Sequence, residues 1–212
     1  PIEWVKAVRK ICDEHGILMI CDEVQCGWAR SGKMFASQYF AEAGAAPDIM
    51  STAKSIAGGL PLSAVTARAE IMDAVPGGTI GGTYGANAVS AASALKVVEV
   101  MERDDYPAKA MHIADVATKA FNEWKEKYEC VGDVRGLGAM IGIEFVKDKA
   151  SKEPDAALVG AIVQEAMNNG LMLEAAGTYG NVIRFLCPLC VTDAQLNAGL
   201  EILENAIKTC SK

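Results

Sequence analysis

The chain has 212 residues, of which 51% are hydrophobic, and it carries a formal net charge of −7. This length and apolar content suffice for a sizeable core in one large domain or two modest ones. Nucleic acids and membrane surfaces are polyanionic and would repel an acidic chain, so the charge argues against both as partners. Small anionic ligands stay possible where local cations or backbone amides meet them.

The chain contains seven cysteines, an odd number, and most of them lie in apolar stretches. This usage favours a reducing cytosol over a disulfide framework. No apolar run approaches the ~20 residues that span a bilayer, and no basic and apolar leader opens the sequence. We therefore expect a soluble, unexported, cytoplasmic protein. Because the chain opens without Met and already reads as helix, we also expect that an upstream part is missing.

The first half alternates helices with short apolar runs, which is typical of strands buried in a parallel sheet. In particular, the run at 17–21 follows a helix and Gly16, so it predicts a strand buried on both faces. In chain order the predicted elements are a helix at 2–15, a strand at 17–21, a helix near 35–43, strands at 49–52 and 63–67, a short helix ending near Pro76, a glycine-rich loop at 77–85 and a helix at 89–102.

Residues 104–107 are expected to break the chain and to mark a domain boundary, giving domains at 1–104 and 105–212. The second domain should be an α+β layer with helices on one side of a small sheet. Thr192 and Gln195 form a capping-box pattern at the start of the last helix. The predicted order is an amphipathic helix at 111–128, strands at 131–135 and 139–146, a helix around 158–168, strands at 171–174 and 182–186, and a final helix.

Asp22 and Lys54 follow two successive predicted strands, 54 − 22 = 32 positions apart. Open parallel sheets place ligand sites at the carboxyl ends of their strands. Small residues and glycines around Lys54 leave room for a bulky planar group. Pyridoxal phosphate needs an amine for a Schiff base and an anion that keeps its pyridine nitrogen protonated. An aspartate and a lysine in these positions suit that cofactor, although each alone is more often a capping or surface residue.

Seven segments in series resemble, in order and spacing, the class III pyridoxal-phosphate-dependent aminotransferases, and the resemblance covers essentially the whole chain. It is closest to the 4-aminobutyrate aminotransferases and matches only the C-terminal part of the family. It implies part of the large domain of an α/β, fold type I aminotransferase, followed by the small C-terminal α+β domain. The matching segments are residues 21–27, 30–32, 47–48, 53–61, 81–87, 134–138 and 181–185.

The resemblance also implies roles for individual residues. Asp22 would pair with the pyridine nitrogen, Val24 would pack under the ring, and Gln25 would lie near the phenolic oxygen. Lys54, the catalytic residue, would hold the cofactor as a Schiff base. Thr83 would bind the phosphate of the cofactor in the partner subunit, which implies a homodimer with shared sites.

Arg184 resembles the family arginine that binds a substrate carboxylate, a task suited to its planar fork. The implied reaction moves an amino group from an ω-amino acid such as 4-aminobutyrate to a keto acid such as 2-oxoglutarate. Ornithine, acetylornithine, β-alanine and diamine aminotransferases and semialdehyde aminomutases share these motifs and stay open. The alternative to an enzyme is a truncated, catalytically silent fragment that folds and self-associates.

Three other motifs in the chain give weaker indications of function. Cys187 and Cys190 form a CxxC without a second pair or a nearby histidine, so buried cysteines are favoured over zinc, and no metal site is expected. The glycine loop at 77–85 lacks the Gly-Lys-Ser/Thr ending of a nucleotide-binding P-loop. Gly136 and Gly138 miss the third glycine of a dinucleotide fingerprint.

Overall fold

The structure, a computed structural model, describes residues 1–79 and 81–211, so Ile80 of the predicted glycine-rich loop lies outside the described residues. Its contacts divide the chain into two units, Pro1–Pro107 and Ala108–Lys212. Among the described helices, none is long and apolar enough to cross a membrane.

The first unit contains a three-stranded sheet in the order β1-β2-β3. Strand β1 runs parallel to β2, as expected, whereas β3 runs antiparallel to β2. The strands are β1 (Ile20–Asp22), β2 (Ile49–Thr52) and β3 (Ala64–Ala67), and the helices are α1 (Ile2–His15), α2 (Ser37–Glu42), α3 (Ala69–Met72) and α4 (Ala88–Arg103), with a short 3-10 helix at Lys54–Ala57.

The end of α1 matches its prediction, but β1 differs from the strand expected at 17–21. Gly16 ends the helix with a left-handed φ of 64°, and the Ile17 N–H donates to Cys12 O at 2.8 Å, which keeps residue 17 in the helix-ending turn. The strand begins only at Ile20, whose side chain is 63% exposed. Burial on both faces was therefore wrong here, because the face that carries Ile20 is open to solvent; β1 is also an edge strand whose only partner among the described residues is β2.

A buried ion-pair cluster joins α1 to the sheet. The carboxylate of Asp48 accepts the Met19 N–H at 2.7 Å and the Arg9 guanidinium at 2.7 Å, and it lies 3.2 Å from the guanidinium of Arg68. The Met19 N–H donor and the Arg9 hydrogen bond lower the pKa of Asp48. Asp48 therefore fixes the start of β2 against the start of β1.

The second unit is built on a four-stranded antiparallel sheet in the order β4-β5-β7-β6. One face is apolar and buried, and there the rings of Phe121 and Phe185 meet edge to face at 5.2 Å. Its strands are β4 (Val131–Leu137), β5 (Met140–Phe145), β6 (Glu174–Ala176) and β7 (Val182–Phe185), and its helices are α5 (Tyr106–Lys127), whose first two residues still belong to the first unit, α6 (Ala156–Asn168) and α7 (Asp193–Cys210).

Two predictions in this region need correction. The expected break between helices at 104–107 is shorter, because α5 already begins at Tyr106. Pro107 is accepted in its first turn, where the backbone N–H that proline lacks would have no partner in the helix. The strand expected at 171–174 begins at Glu174, because the Leu171 N–H donates to Ala166 O at 2.9 Å and belongs to the end of α6. The capping box of α7, formed by Thr192 and Gln195, is present as predicted.

Candidate active site

Asp22 lies at the carboxyl end of β1, directly beside the end of β2. Its register partner in β2 is Ser51, whose hydroxyl donates to Asp22 Oδ1 at 3.4 Å. The Val24 N–H donates to the same oxygen at 2.9 Å, which holds the carboxylate at the strand end. The side chain stays exposed and can accept a further partner.

Lys54 opens the 3-10 helix that follows β2, and its ammonium group donates to the amide oxygen of Gln25. The structure thus brings Asp22, Gln25 and Lys54 to the same edge of the sheet. Lys54 has a φ of 52°, a left-handed conformation that is uncommon for a residue with a side chain. Such strain is concentrated at functional sites.

Two buried residues, Glu23 and Trp28, hold the loop that carries Val24 and Gln25. Glu23, only 1% exposed, accepts the N–H groups of Ala36 at 3.1 Å and Ser37 at 2.5 Å at the start of α2. The indole of Trp28 donates to the buried hydroxyl of Thr52 at 2.5 Å, which ties the loop to the end of β2. Sequence reasoning assigned neither residue, because both contacts join positions that only the fold brings together.

A cavity of about 590 Å³ adjoins Lys54. Neither Asp22 nor Gln25 lines this cavity, which lies between the 3-10 helix and α4, and a Cβ atom added at Gly59 would meet no atom within 4 Å. An exposed amine and an exposed carboxylate at the same sheet edge are what pyridoxal phosphate requires, so the residues present fit the group. The cavity is lined by Lys54, Ser55, Gly58, Gly59, Ser93, Lys96, Val97, Val100, Met101 and Tyr106.

Cys26 contributes to the local electrostatics. Its thiol lies 3.6 Å from the Asp22 carbonyl oxygen, and burial, with the nearby charge of Glu23, raises its pKa. Burial likewise raises the pKa of the Cys21 thiol. Both groups are therefore neutral near pH 7 and leave Asp22 as the accessible carboxylate beside Lys54.

The remaining predicted residues lie elsewhere. Thr83 is exposed on the loop before α4, where the Gly85 N–H donates to Gly82 O at 2.9 Å, and within residues 1–79 and 81–107 it has no hydrogen bond to the Asp22 cluster. Arg184 belongs to β7 in the second unit and pairs with the carboxylate of Glu174 in β6. Among the described residues, no group of three or more His, Cys, Asp or Glu side chains is arranged to hold a metal ion.

Comparisons with known proteins agree with this architecture. The family model described as aminotransferase class-III matches residues 1–207. The chain is 46% identical over 204 residues to a 5-aminovalerate aminotransferase from Pseudomonas putida, covering 96% of the chain and 47% of the relative. It is 46% identical over 200 residues to a 4-aminobutyrate aminotransferase from Escherichia coli, covering 94% and 46%.

Among solved structures, an amine transaminase from an uncultivated Pseudomonas species, with pyridoxal phosphate bound, superimposes with a TM-score of 0.89 at 33% identity. The match covers 99% of this chain and 48% of that one. The chain therefore belongs to the class-III aminotransferase family, as the sequence motifs indicated, and it has part of the aminotransferase α/β fold. It spans about half the length of the curated relatives it matches, in their C-terminal half.

Proposed function

We propose that the protein catalyses pyridoxal-phosphate-dependent transamination of an ω-amino acid, with 2-oxoglutarate as the amino acceptor. The observation that carries the proposal is the convergence of Lys54, Gln25 and Asp22 at one edge of the first sheet. The names of the relatives, which are 4-aminobutyrate and 5-aminovalerate aminotransferases, support the substrate class.

When bound, the cofactor supplies an electron sink that stabilises negative charge on the substrate carbon. The side chain of Lys54 would hold the cofactor covalently, and its Nζ, once released by the incoming amine, would move a proton to and from the substrate carbon. The Asp22 carboxylate would keep the pyridine nitrogen protonated. Gln25 would orient the Lys54 amine and lie near the phenolic oxygen, and Val24 would pack under the ring.

The other two residues would complete the site. Thr83 would bind the phosphate of the cofactor held by a partner subunit, so we propose a homodimer with shared sites. Arg184 would bind a carboxylate of the amino acid or keto acid through its planar fork. Both assignments rest on the positions of these residues in the family motifs.

Covalent labelling of Lys54 tests the central assignment. The chain is mixed with pyridoxal phosphate, reduced with borohydride and digested, and the labelled peptide is identified by mass spectrometry. We expect about one label per chain, on Lys54, and only background labelling in the variant Lys54→Ala. Lys96→Ala is the matched control, because Lys96 lines the same cavity, and it should keep the label on Lys54.

Two outcomes would contradict the assignment. Unchanged labelling of the Lys54→Ala variant would remove Lys54 from its role. Labels scattered over surface lysines would favour the alternative function, in which the 212 residues are a folded, self-associating and catalytically silent fragment. Analytical ultracentrifugation of the same sample would then distinguish the self-associating fragment from a monomer.

A further inference from the structure

The short 3-10 helix that begins at Lys54 has an exposed side and a buried side. Lys54 and Ser55 are exposed, whereas Ile56 is 6% exposed and Ala57 is fully buried. The buried pair belongs to an apolar cluster that also contains Met101 of α4. The reactive lysine therefore lies on the open side of a single helical turn whose other side is packed into this cluster.

The backbone of this 3-10 helix holds it only weakly. At its start the Ile56 N–H donates to Ala53 O at 3.2 Å, and at its end the Gly58 N–H donates to Ser55 O at 3.2 Å. Hydrogen bonds of this type have poorer geometry than those of an α-helix. In addition, Lys54 has a φ of 52°, and such a conformation persists only where the surrounding structure enforces it. The position of Lys54 thus depends on contacts from outside the 3-10 helix.

Ser93 of α4 makes a contact of this kind. Its hydroxyl donates to the carbonyl oxygen of Ala57 at 2.9 Å, whereas the Leu60 N–H donates to the same oxygen at 3.2 Å. A Cβ atom added at Gly58 would lie 3.2 Å from Cγ2 of Val97 and 3.8 Å from the Ser93 hydroxyl. Helix α4 therefore lies directly against the end of the 3-10 helix, and Ser93 fixes that end by a hydrogen bond.

We infer that Ser93 is a positioning residue for Lys54 and acts through the carbonyl group of Ala57. This inference rests on the proposed role of Lys54 as the residue that holds the cofactor. Without the Ser93 hydroxyl, the end of the 3-10 helix is free to shift, and Lys54 can leave its left-handed φ for a common one. That relaxation carries the amine away from the amide oxygen of Gln25 and from the Asp22 carboxylate.

Two reagents measure the position of the amine in the purified chain, with each labelled peptide quantified by mass spectrometry. Labelling by pyridoxal phosphate and borohydride requires a placed amine, and Ser93→Ala should slow it at Lys54 about threefold, a size that one hydrogen bond supports. Limited acetylation by acetic anhydride needs only an accessible amine. It should rise about twofold at Lys54, because the amine is no longer held against Gln25. Lys10, which is 76% exposed on α1, is the internal reference.

Matched variants separate the hydrogen bond from a general effect on α4. Ser93→Thr keeps a hydroxyl on the same carbon atom and should restore both rates to those of the wild type. Ser90 is 3% exposed and lies one turn earlier on α4, and its hydroxyl makes no hydrogen bond to the 3-10 helix among the described residues. Ser90→Ala should therefore leave both rates at Lys54 unchanged.

The results distinguish the role of Ser93 from that of Lys54. Wild-type rates of both reactions in Ser93→Ala would overturn the role of Ser93. Equal changes in Ser90→Ala, or a failure of Ser93→Thr to restore the rates, would also overturn it, since packing of α4 alone would then explain the effect. An absence of pyridoxal phosphate on Lys54 in the wild type would instead overturn the proposed function. The acetylation of Lys54, which involves no cofactor, would then decide the role of Ser93 by itself.

Discussion

The two units of the chain bury their apolar side chains to very different extents. In the second unit, large residues such as Phe121, Phe145 and Ile183 are fully buried. In the first unit the largest fully buried side chains among the described residues are Glu23 and Ser31, both polar. The second unit thus buries large apolar side chains completely, whereas the first combines two smaller apolar clusters, around Met19 and around Trp28, with buried polar contacts.

The same contrast appears on the surface. The first unit exposes large apolar side chains on its helices and on its sheet, including Trp4 at 66%, Ile20 at 63% and Val65 at 52%. Ile20, a position that a parallel sheet would ordinarily bury, is open to solvent here. The candidate site thus lies in the less buried of the two units, where the hydrogen bonds of Glu23 and Trp28 hold the loop that carries Gln25.

The largest expected effect lies in the core of the second unit. Phe121→Ala removes a ring that meets Trp124 at 5.0 Å and Phe185 at 5.2 Å, and it should lower the free energy of unfolding by about 4 kcal/mol. Ile20→Ala in the first unit removes an exposed side chain and should cost less than about 0.5 kcal/mol.

Amide hydrogen exchange reads the two units separately. Protection of Ile143 in β5 reports on the second unit, and protection of Met50 in β2 reports on the first. The two losses of protection are compared, at Met50 in Ile20→Ala and at Ile143 in Phe121→Ala. If they were equally large, the two units would not differ in how much they depend on apolar burial.

The next effect tests the polar contacts of the first unit. Asp48→Asn leaves the Arg9 guanidinium, which is 12% exposed, without its buried partner and should cost about 3 kcal/mol. Asp13→Asn is the control, because Asp13 pairs with the same guanidinium but is 66% exposed, and it should cost less than about 1 kcal/mol. Both losses of stability are measured by chemical denaturation, with hydrogen exchange at the Met50 amide as the readout for the first unit.

The pH dependence of Asp48 gives a second readout. The Met19 N–H and Arg9 lower the pKa of Asp48 in the folded state below the ordinary value of 3.8. The stability that this carboxylate contributes is therefore fully present above pH 3.8 and is lost as the pH falls through the folded pKa. Asp48→Asn should remove that part of the acid dependence, and an unchanged acid profile would show that other carboxylates carry it.

Much of the fold followed from local patterns. Helix α1 with its Gly16 cap, strand β2 and the capping box at Thr192 lie where the sequence placed them, because each depends on a few neighbouring residues. The antiparallel direction of β3 was not predicted, since a short apolar run does not encode strand direction. The exposure of Ile20 was missed for a similar reason, because burial depends on what lies against the strand.

The residues of the candidate site also differ in how far the sequence predicted them. Asp22 and Lys54 were singled out because both follow strands, and the structure brings them to the same sheet edge. The roles of Val24, Thr83 and Arg184 came from the family motifs and stay predictions. The pairing of Arg184 with Glu174 could not be foreseen, because it depends on the register of β6, which begins three residues later than the pattern at 171–174 suggested.

The smallest expected effect concerns the hydrogen bond between Trp28 and Thr52. Trp28→Phe keeps an aromatic ring against Phe35 but leaves the Thr52 hydroxyl, which is 4% exposed, without its donor, at a cost of about 1.5 kcal/mol. Thr52→Val leaves the indole N–H unpaired and should cost a similar amount. The double variant removes both polar partners and should cost less than the sum of the single changes.

The same variants show how this bond bears on Lys54, which lies two residues beyond Thr52. Since the bond ties the loop of Gln25 to the end of β2, its loss should slow the labelling of Lys54 by pyridoxal phosphate about twofold to threefold in both single variants. This corresponds to about 0.4 to 0.7 kcal/mol, less than half of the expected loss of stability, at tenfold per 1.4 kcal/mol. Additive stability costs with unchanged labelling would show that the loop is held by Glu23 alone. Non-additive costs with slower labelling would show that, in the less buried unit, one side-chain hydrogen bond positions the reactive lysine.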